Sequence, residues 1–377
     1  MLHKKSQNCV LSICDISPIR FGSFEDFLVV MTDELNKKGF KHVIIFRDRP
    51  IKCVEDTLLA SNAEIKILKP TRSNIYIFME LYQILKEIRP NIVHFHFYPI
   101  YSSLNYLKFF FSIKIVYTDH MGSRELKTPF KKALRKLYYK THSILFNCGI
   151  DKIVCVSNYI KLKYSKEYNI HSSKLLVIYN GVNLRKFQQN IDTTKLKEKL
   201  NIKDEFVVST VGLRADKGVN CLIKAIPNII KSMPNTKFIL VGEGECRSYL
   251  ERMVDNLKLN NYVVFTGNMV DISGIYQISS CVVVSSLVEE AFCFVAVEAM
   301  AAGTQVIAFD SGALREVLYD LDQLIPKNYT LLSQKIIKCL KTNNINNNVM
   351  MQYVGSNYSL DKCVYNYMQL YDEILKK

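Results

Sequence analysis

No two of the eleven cysteines stand as Cys-x-x-Cys; they are scattered singly between Cys9 and Cys363. An odd, unspaced set excludes a zinc ribbon and a disulfide framework, and reads as reduced, buried thiols of a cytoplasmic protein. Nor does any run approach the ~18–20 apolar residues of a membrane span; the greasiest stretch is FFFSIKIVY. The opening MLHKKSQNCVLSICDISP is basic, but Asp15 interrupts its apolar stretch and no small-residue cleavage site follows, so no signal peptide is expected. Repeats of ~20–50 residues are absent. Gly242-Glu243-Gly244 lacks the third glycine of a dinucleotide fingerprint, which weighs against a nicotinamide dehydrogenase. Asp-x-Asp occurs only as Asp320-Leu321-Asp322, in a stretch that reads as a surface turn. No metal and no cofactor is expected.

What is present is a chain of 377 residues, 49% apolar and 23% charged. At roughly 150 residues per domain, two domains are expected, each with a core of its own. The net charge is +15, and residues 1–190 hold 30 Lys and Arg against 15 Asp and Glu, whereas 191–377 balance. The excess sits wholly in the first half, so an anionic partner is a partner of that half. A nucleic-acid partner is not expected, because no reading module is recognisable.

Short β-branched runs alternate with longer helical patterns, which argues for parallel sheets built from βαβ units. In the first half the runs are CVLSICDI, HVIIFR, EIKIL, NIVHFHF, KIVYTD, KIVCVS and LLVIYN; in the second, FVVSTVG, FILVGEG, VVFTG, CVVVSS and QVIAFD. FEDFLVVMTDELNKKG reads as a helix with apolar residues at 24, 27, 28, 31 and 35 and a stop at Gly39. The polar stretch 188–205 reads as the linker, NNINNN (343–348) as a loop, and the last residues as a helix. The fold class is therefore α/β, with two doubly wound domains facing across a cleft and ligands at the strands' carboxyl ends. The expected divisions are 1–190, 191–355 and a terminal helix over 356–377 that crosses back to the first domain.

The most specific segment is Glu290-Ala-Phe-Cys-Phe-Val-Ala-Val-Glu298, followed by AMAAGTQVIA. Glu290 falls in the loop after CVVVSS, and Glu298 inside a helix that starts near Phe294. A carboxylate within AVEAMAAG is costly unless something pairs with it; the plainer alternative is a helix-start carboxylate and a solvated charge. This segment resembles the E-x7-E signature of the retaining, nucleotide-sugar-dependent GT-B glycosyltransferases, in particular glycosyltransferase family 4. VGLRADKGVNCLIKAI, VGEGECRSYLE, VVFTGNMVD and FDSGALREVL are similar to further segments of that family, as are KIVCVSNYIKLKY and VIYNGVNLRKF in the first half. Seven such segments occur in the family's order.

The resemblance implies two Rossmann-like domains, the first for the acceptor and the second for the nucleotide sugar. It also implies a hexosyl transfer from a nucleoside-diphosphate donor (UDP more than GDP) to a saccharide or lipid-linked acceptor, and with Asp320-Leu321-Asp322 read as a turn that transfer is expected to be metal-independent. Cell-surface polysaccharide or lipopolysaccharide assembly is the setting it suggests. Arg214 and Lys217 then neutralise the leaving diphosphate, Glu290 faces the donor sugar, and Glu298 accepts from the ribose hydroxyls. Gly212 and the Phe292, Cys293, Phe294 and Val295 stretch line the donor. Cys293 stands where the family has glycine, and the loop before Lys217 is one residue short with its arginine one place late. Cys293 as a nucleophile is disfavoured, with no basic partner beside it.

In the first half Gly22 matches the family's glycine-rich loop with one glycine in place of two, and His120 matches the histidine by the donor sugar. His94 and His96 lie two apart on one strand face, either as part of the site or as a structural pair. Lys127–Lys140 pairs an apolar stripe (Phe130, Ala133, Leu134, Leu137) with Lys131, Lys132, Arg135, Lys136 and Lys140. It is expected to dock on an anionic membrane from the cytoplasmic side, the alternative being an amphipathic helix packed on its sheet. Two other readings of the same architecture are a sugar-nucleotide epimerase and a catalytically silent scaffold partner.

Overall fold

The computed structural model describes residues 8–68, 74–100, 102–120, 149–168, 170–189, 191–342 and 347–376. The basic segment 127–140 lies outside the described residues. Two compact units emerge: Met1–Gly181 with Leu360–Lys377, and Val182–Ser359.

In the first unit the strands are β1 (Cys9–Cys14), β2 (Lys41–Phe46), β3 (Glu64–Ile67), β4 (Ile92–His96), β5 (Lys114–Asp119), β6 (Lys152–Cys155) and β7 (Leu175–Val177). They form a parallel sheet in the order β3-β2-β1-β4-β5-β6-β7. Every residue of β1 and β4 is buried, because crossover helices cover both faces of such a sheet. The helix Ser23–Lys37 buries Phe24, Phe27, Leu28, Met31 and Leu35, the stripe its 3.6-residue period marks out. The chain's last helix, Leu360–Lys376, packs on it with Val364, Tyr367, Leu370, Tyr371 and Ile374 buried. Its tyrosines also supply polar contacts: the Tyr371 hydroxyl lies 2.6 Å from His94 Nδ1, and Tyr367 lies 3.0 Å from Thr118 Oγ1.

The second unit has β8 (Phe206–Val211), β9 (Thr236–Val241), β10 (Val263–Gly267), β11 (Cys281–Val284), β12 (Val306–Phe309) and β13 (Leu324–Ile325). Their order is β10-β9-β8-β11-β12-β13, again parallel. Alternate residues feed two cores: Val208, Phe238 and Leu240 on one face, Val207, Ile239 and Val241 on the other. All twelve expected strand runs form, and β13, two residues long, is one that periodicity does not flag. The stretch 188–205 is not wholly a linker. It carries the short helix Thr194–Lys199, opened by Asp192 accepting from the Thr194 amide at 3.0 Å. Its charged sequence, TKLKEK, shows no apolar stripe to announce it. The helix Asn347–Tyr358 likewise begins inside the NNINNN tract.

Each sheet reverses its strand order once, between β1 and β4 and between β8 and β11. Loops leaving the carboxyl ends on either side of that point diverge and leave room for a ligand.

Four histidines of the first unit are held neutral by burial. His42 and His120 are pushed down to about 3, and His94 and His96 well below the ordinary imidazole value. His42 is enclosed completely, its two nitrogens at 2.7 Å from Thr32 Oγ1 and 2.9 Å from Ser12 Oγ. A folded-state pKa below the unfolded one means that the unfolded chain binds more protons, so stability is complete above about pH 6.5 and is lost as pH falls towards 3. The His42 ring resonances should therefore not titrate between pH 7 and pH 4, while the unfolding midpoint falls over that span. A His42 titration centred near 6.5 is the contrary result.

Candidate functional site

The second unit's site grows from the β8/β11 crossing. Gly212, at φ +93°, ends β8. Arg214 follows, then the tight turn Ala215–Lys217, then Gly218 and the helix Val219–Ser232. Gly218 must be glycine twice over. Its φ is +59°, and a Cβ there would lie 2.1 Å from the Ser285 carbonyl oxygen at the end of β11. This close approach lets the two loops tie together: the Leu287 amide donates to the Asp216 carbonyl at 2.9 Å, and Ser285 Oγ donates to the Lys217 carbonyl at 3.0 Å.

The central contact joins residues 73 apart in the chain. Lys217 Nζ donates to Glu290 Oε1 at 2.6 Å, and the Ser286 hydroxyl donates to the same carboxylate oxygen. Both side chains are largely covered, at 24% and 11% exposure. Burial is the largest single influence and works against the Lys217 ammonium, but attraction to Glu290 and the hydrogen bond to it help to hold the lysine above its ordinary pKa. The Glu290 backbone is fixed as well. Its carbonyl accepts from the Ala313 amide at 2.9 Å, and a Cβ on Gly312 would come within 2.3 Å of that oxygen.

Arg214 is engaged sideways. Its guanidinium makes a fork to Asp216, Nε to Oδ1 at 3.0 Å and Nη2 to Oδ2 at 2.8 Å, and that bond raises the arginine's pKa. The side chain stays 61% exposed.

Glu298 lies inside the helix Phe294–Ala301, buried, and accepts from the Tyr276 hydroxyl at 2.9 Å. Tyr276 supplies a partner that the apolar context of AVEAMAAG calls for. Cys293 caps the helix with φ +80°, left-handed backbone that a side chain adopts under strain. That conformation is what a glycine would tolerate at this place. Burial pushes the Cys293 thiol up to about 12, so it carries no thiolate. Phe292 is buried, whereas Phe294 and Val295 are partly exposed at the helix start, where the first amides have no intrahelical acceptor.

Asp320 and Asp322 belong to a tight turn in which Asp320 Oδ1 accepts from the Asp322 amide at 2.9 Å. Among the described residues no group of three or more His, Cys, Asp and Glu is arranged to hold a metal.

In the first unit the corresponding strand ends are those of β1, β4 and β5. Gly22 starts the helix Ser23–Lys37, and its amide donates to Glu25 Oε2 at 2.9 Å, so a carboxylate of the same turn already occupies it. Burial raises the Glu25 pKa against that hydrogen bond. His120, just past β5, has Nε2 at 3.1 Å from His96 Nδ1. His94 is tied structurally, between Tyr371 and, at 2.7 Å, Thr118 Oγ1.

The structure thus joins Lys217 to Glu290 and His120 to His96, and places Arg214 and Glu298 on partners that motif reading missed: Asp216 and Tyr276. Ser286 was missed too. Asp216 alone left a trace, as the acid between two bases in Arg-Ala-Asp-Lys.

Residues 191–354 match the model of the glycosyl transferases group 1, and residues 25–186 that of Glycosyltransferase Family 4. The chain is 35% identical over 44% of its length to an uncharacterised glycosyltransferase of Methanocaldococcus jannaschii, covering 44% of that protein. It is 31% identical over 45% of its length to the lipopolysaccharide 1,2-N-acetylglucosaminetransferase of Salmonella typhimurium, covering 46% of it. These matches span about half the length of either relative. Among solved structures, Anabaena HepE in complex with UDP-glucose superposes with a TM-score of 0.79 at 19% identity, over 97% of this chain and 99% of that one. Motifs, sheet orders and both family models converge: the chain has the GT-B fold, its first half matching the Glycosyltransferase Family 4 model and its second half the model of the glycosyl transferases group 1.

Proposed function

We propose that the protein is a retaining glycosyltransferase that moves a sugar from a UDP-sugar to a hydroxyl of a saccharide or lipid-linked acceptor in cell-surface polysaccharide or lipopolysaccharide assembly. The observation that carries this reading is the Lys217–Glu290 pair at the β8/β11 crossing. Departure of a nucleoside diphosphate builds negative charge, and a fixed, largely desolvated ammonium stabilises it far better than a solvated one. In this reading a donor diphosphate competes with Glu290 for Lys217, and Arg214 turns from Asp216 to add a second cation. Glu290, relieved of part of that ion pair, faces the positive charge developing at the sugar's anomeric carbon. Glu298, oriented by Tyr276, takes the ribose hydroxyls. The acceptor attacks on the face the leaving group departs from, and the leaving phosphate takes its proton. In the first unit, family likeness assigns His120 to the sugar and Gly22 to donor binding, in a loop near the phosphates and the acceptor. Support for the donor comes from the UDP-glucose in the HepE complex, and for the acceptor from the name of the Salmonella relative.

Lys217→Ala should lower kcat by ~10²–10³ with the fold intact, the usual cost of one electrostatic contact to a developing charge. Glu298→Gln should instead raise the donor KM by ~10-fold or more, since it weakens a charged hydrogen bond made in ground and transition states alike. Steady-state kinetics with a UDP-sugar check both. Normal turnover in Lys217→Ala removes the diphosphate assignment.

Activity should also survive exhaustive treatment with EDTA, because Arg214 and Lys217 carry the neutralising charge and Asp320 and Asp322 are committed to a turn. Strict dependence on added manganese or magnesium is the contrary outcome.

A further inference from the structure

Two adjacent serines just past β11 hold the two arms of the Lys217–Glu290 pair separately. Ser285 Oγ donates to the Lys217 carbonyl at 3.0 Å, which fixes the turn that presents the lysine, and Ser286 Oγ donates to Glu290 Oε1. The grip on Glu290 is one-sided. Lys217 Nζ and Ser286 Oγ converge on Oε1, and among the described residues no donor reaches Oε2. Nor is Oε2 among the enclosed polar atoms that lack a partner, so it is open to solvent or to a ligand. The neighbouring Glu289 is braced differently, through both oxygens: Oε2 accepts from the Gly312 amide, and Oε1 from Lys327 Nζ at 3.2 Å.

Ser286 has no choice of partner. The residue is completely buried, and among the described residues its hydroxyl bonds to Oε1 alone. A carboxylate paired with an ammonium only accepts, so the hydroxyl proton lies between Oγ and Oε1. If the carboxylate swung away, a buried hydroxyl would be left unpaired, which is costly. Lys217 is placed otherwise. Its side chain is partly exposed, and an ammonium has three protons, of which Glu290 takes one. The lysine can therefore turn to an anion, whereas the serine cannot leave the carboxylate. The loop cannot carry Glu290 off either, because its carbonyl accepts from the Ala313 amide at 2.9 Å and Gly312 packs against it.

We infer that Ser286 is the positioning residue of Glu290: it keeps Oε1 turned to the protein while Lys217 engages a diphosphate, so that Oε2 is the oxygen that faces the donor sugar. The parts played by the diphosphate and the sugar rest on the function proposed above; the hold of Ser286 on Oε1 does not.

Crystal structures of the full-length wild type and of Ser286→Ala, free and with UDP, test the hold itself. The wild type should keep Ser286 on Oε1 in both states, and in Ser286→Ala the carboxylate should rotate or take more than one position. A wild-type Ser286 bonded elsewhere, or a Glu290 unmoved in Ser286→Ala, overturns the inference whatever the enzyme does; so does a UDP complex in which Glu290 has left Ser286. In kinetics with a UDP-sugar, Ser286→Ala should lower kcat by ~10–100-fold, the cost of a misaimed group. The donor KM should change by less than about 3-fold, because water in place of the hydroxyl solvates the carboxylate without aiming it. In a Glu290→Ala background Ser286→Ala should cost nothing further. Wild-type kcat in Ser286→Ala overturns the positioning role, as does a loss confined to KM or one that persists without Glu290. A wild type that neither binds UDP nor transfers a sugar, alongside the expected free structures, counts against the proposed function and leaves the hold on Oε1 standing.

Discussion

A lysine and a carboxylate held 2.6 Å apart, each largely withdrawn from water, are the constraint around which the second unit's site is arranged. Two such charges cost several kcal/mol each to desolvate and hold only when well matched and further hydrogen-bonded. Ser286 gives Glu290 its second donor, Ala313 and Gly312 fix its backbone, and the Ser285 hydroxyl donates to the carbonyl of the turn that presents Lys217. Gly218 is the hinge of this assembly, because a side chain there would separate the two loops and with them the pair. A contact of this kind is weak evidence for stability and good evidence for a site, since apolar residues would hold the loops together at less cost.

The first unit shows the complementary case, polar groups kept neutral. Four imidazoles sit in or beside a sheet whose strands are wholly covered, and burial keeps them uncharged. Hydroxyls reach two of them, Thr32 and Ser12 at His42 and Tyr371 and Thr118 at His94, while His96 and His120 pair with each other. Two of these hydroxyl partners have their own anchoring in the last helix of the chain, so the terminal residues take part in organising the strand ends of β4 and β5.

Much of this was legible before any coordinates. The 24, 27, 28, 31, 35 stripe marks a helix because the period of burial is the period of the backbone, and the β-branched runs mark strands for the same reason. Glu298 in an apolar helix announced that a partner exists. Which partner could not be read, since Tyr276 is 22 residues upstream and reaches Glu298 only through the packing of two helices. Likewise Lys217 and Glu290 were each visible as motif residues, while their contact depends on β11 lying next to β8, and that adjacency is a property of the sheet order. Cys293 was visible as a departure from glycine; its left-handed backbone shows what the departure costs. The helix Thr194–Lys199 was invisible because a single apolar residue, Leu196, anchors it and one residue makes no periodicity.

The account stands or falls on whether Lys217 serves a diphosphate in competition with Glu290, and calorimetric titration of UDP into three proteins measures that directly. Relative to the wild type, Lys217→Met should bind UDP ~10-fold or more weakly, the loss of one charge-assisted contact. Glu290→Gln, which frees Lys217 from its ion pair, should bind UDP at least as tightly although its turnover falls. Wild-type affinity in Lys217→Met, or a loss in Glu290→Gln as large as in Lys217→Met, contradicts the claim that this pair is the diphosphate's site.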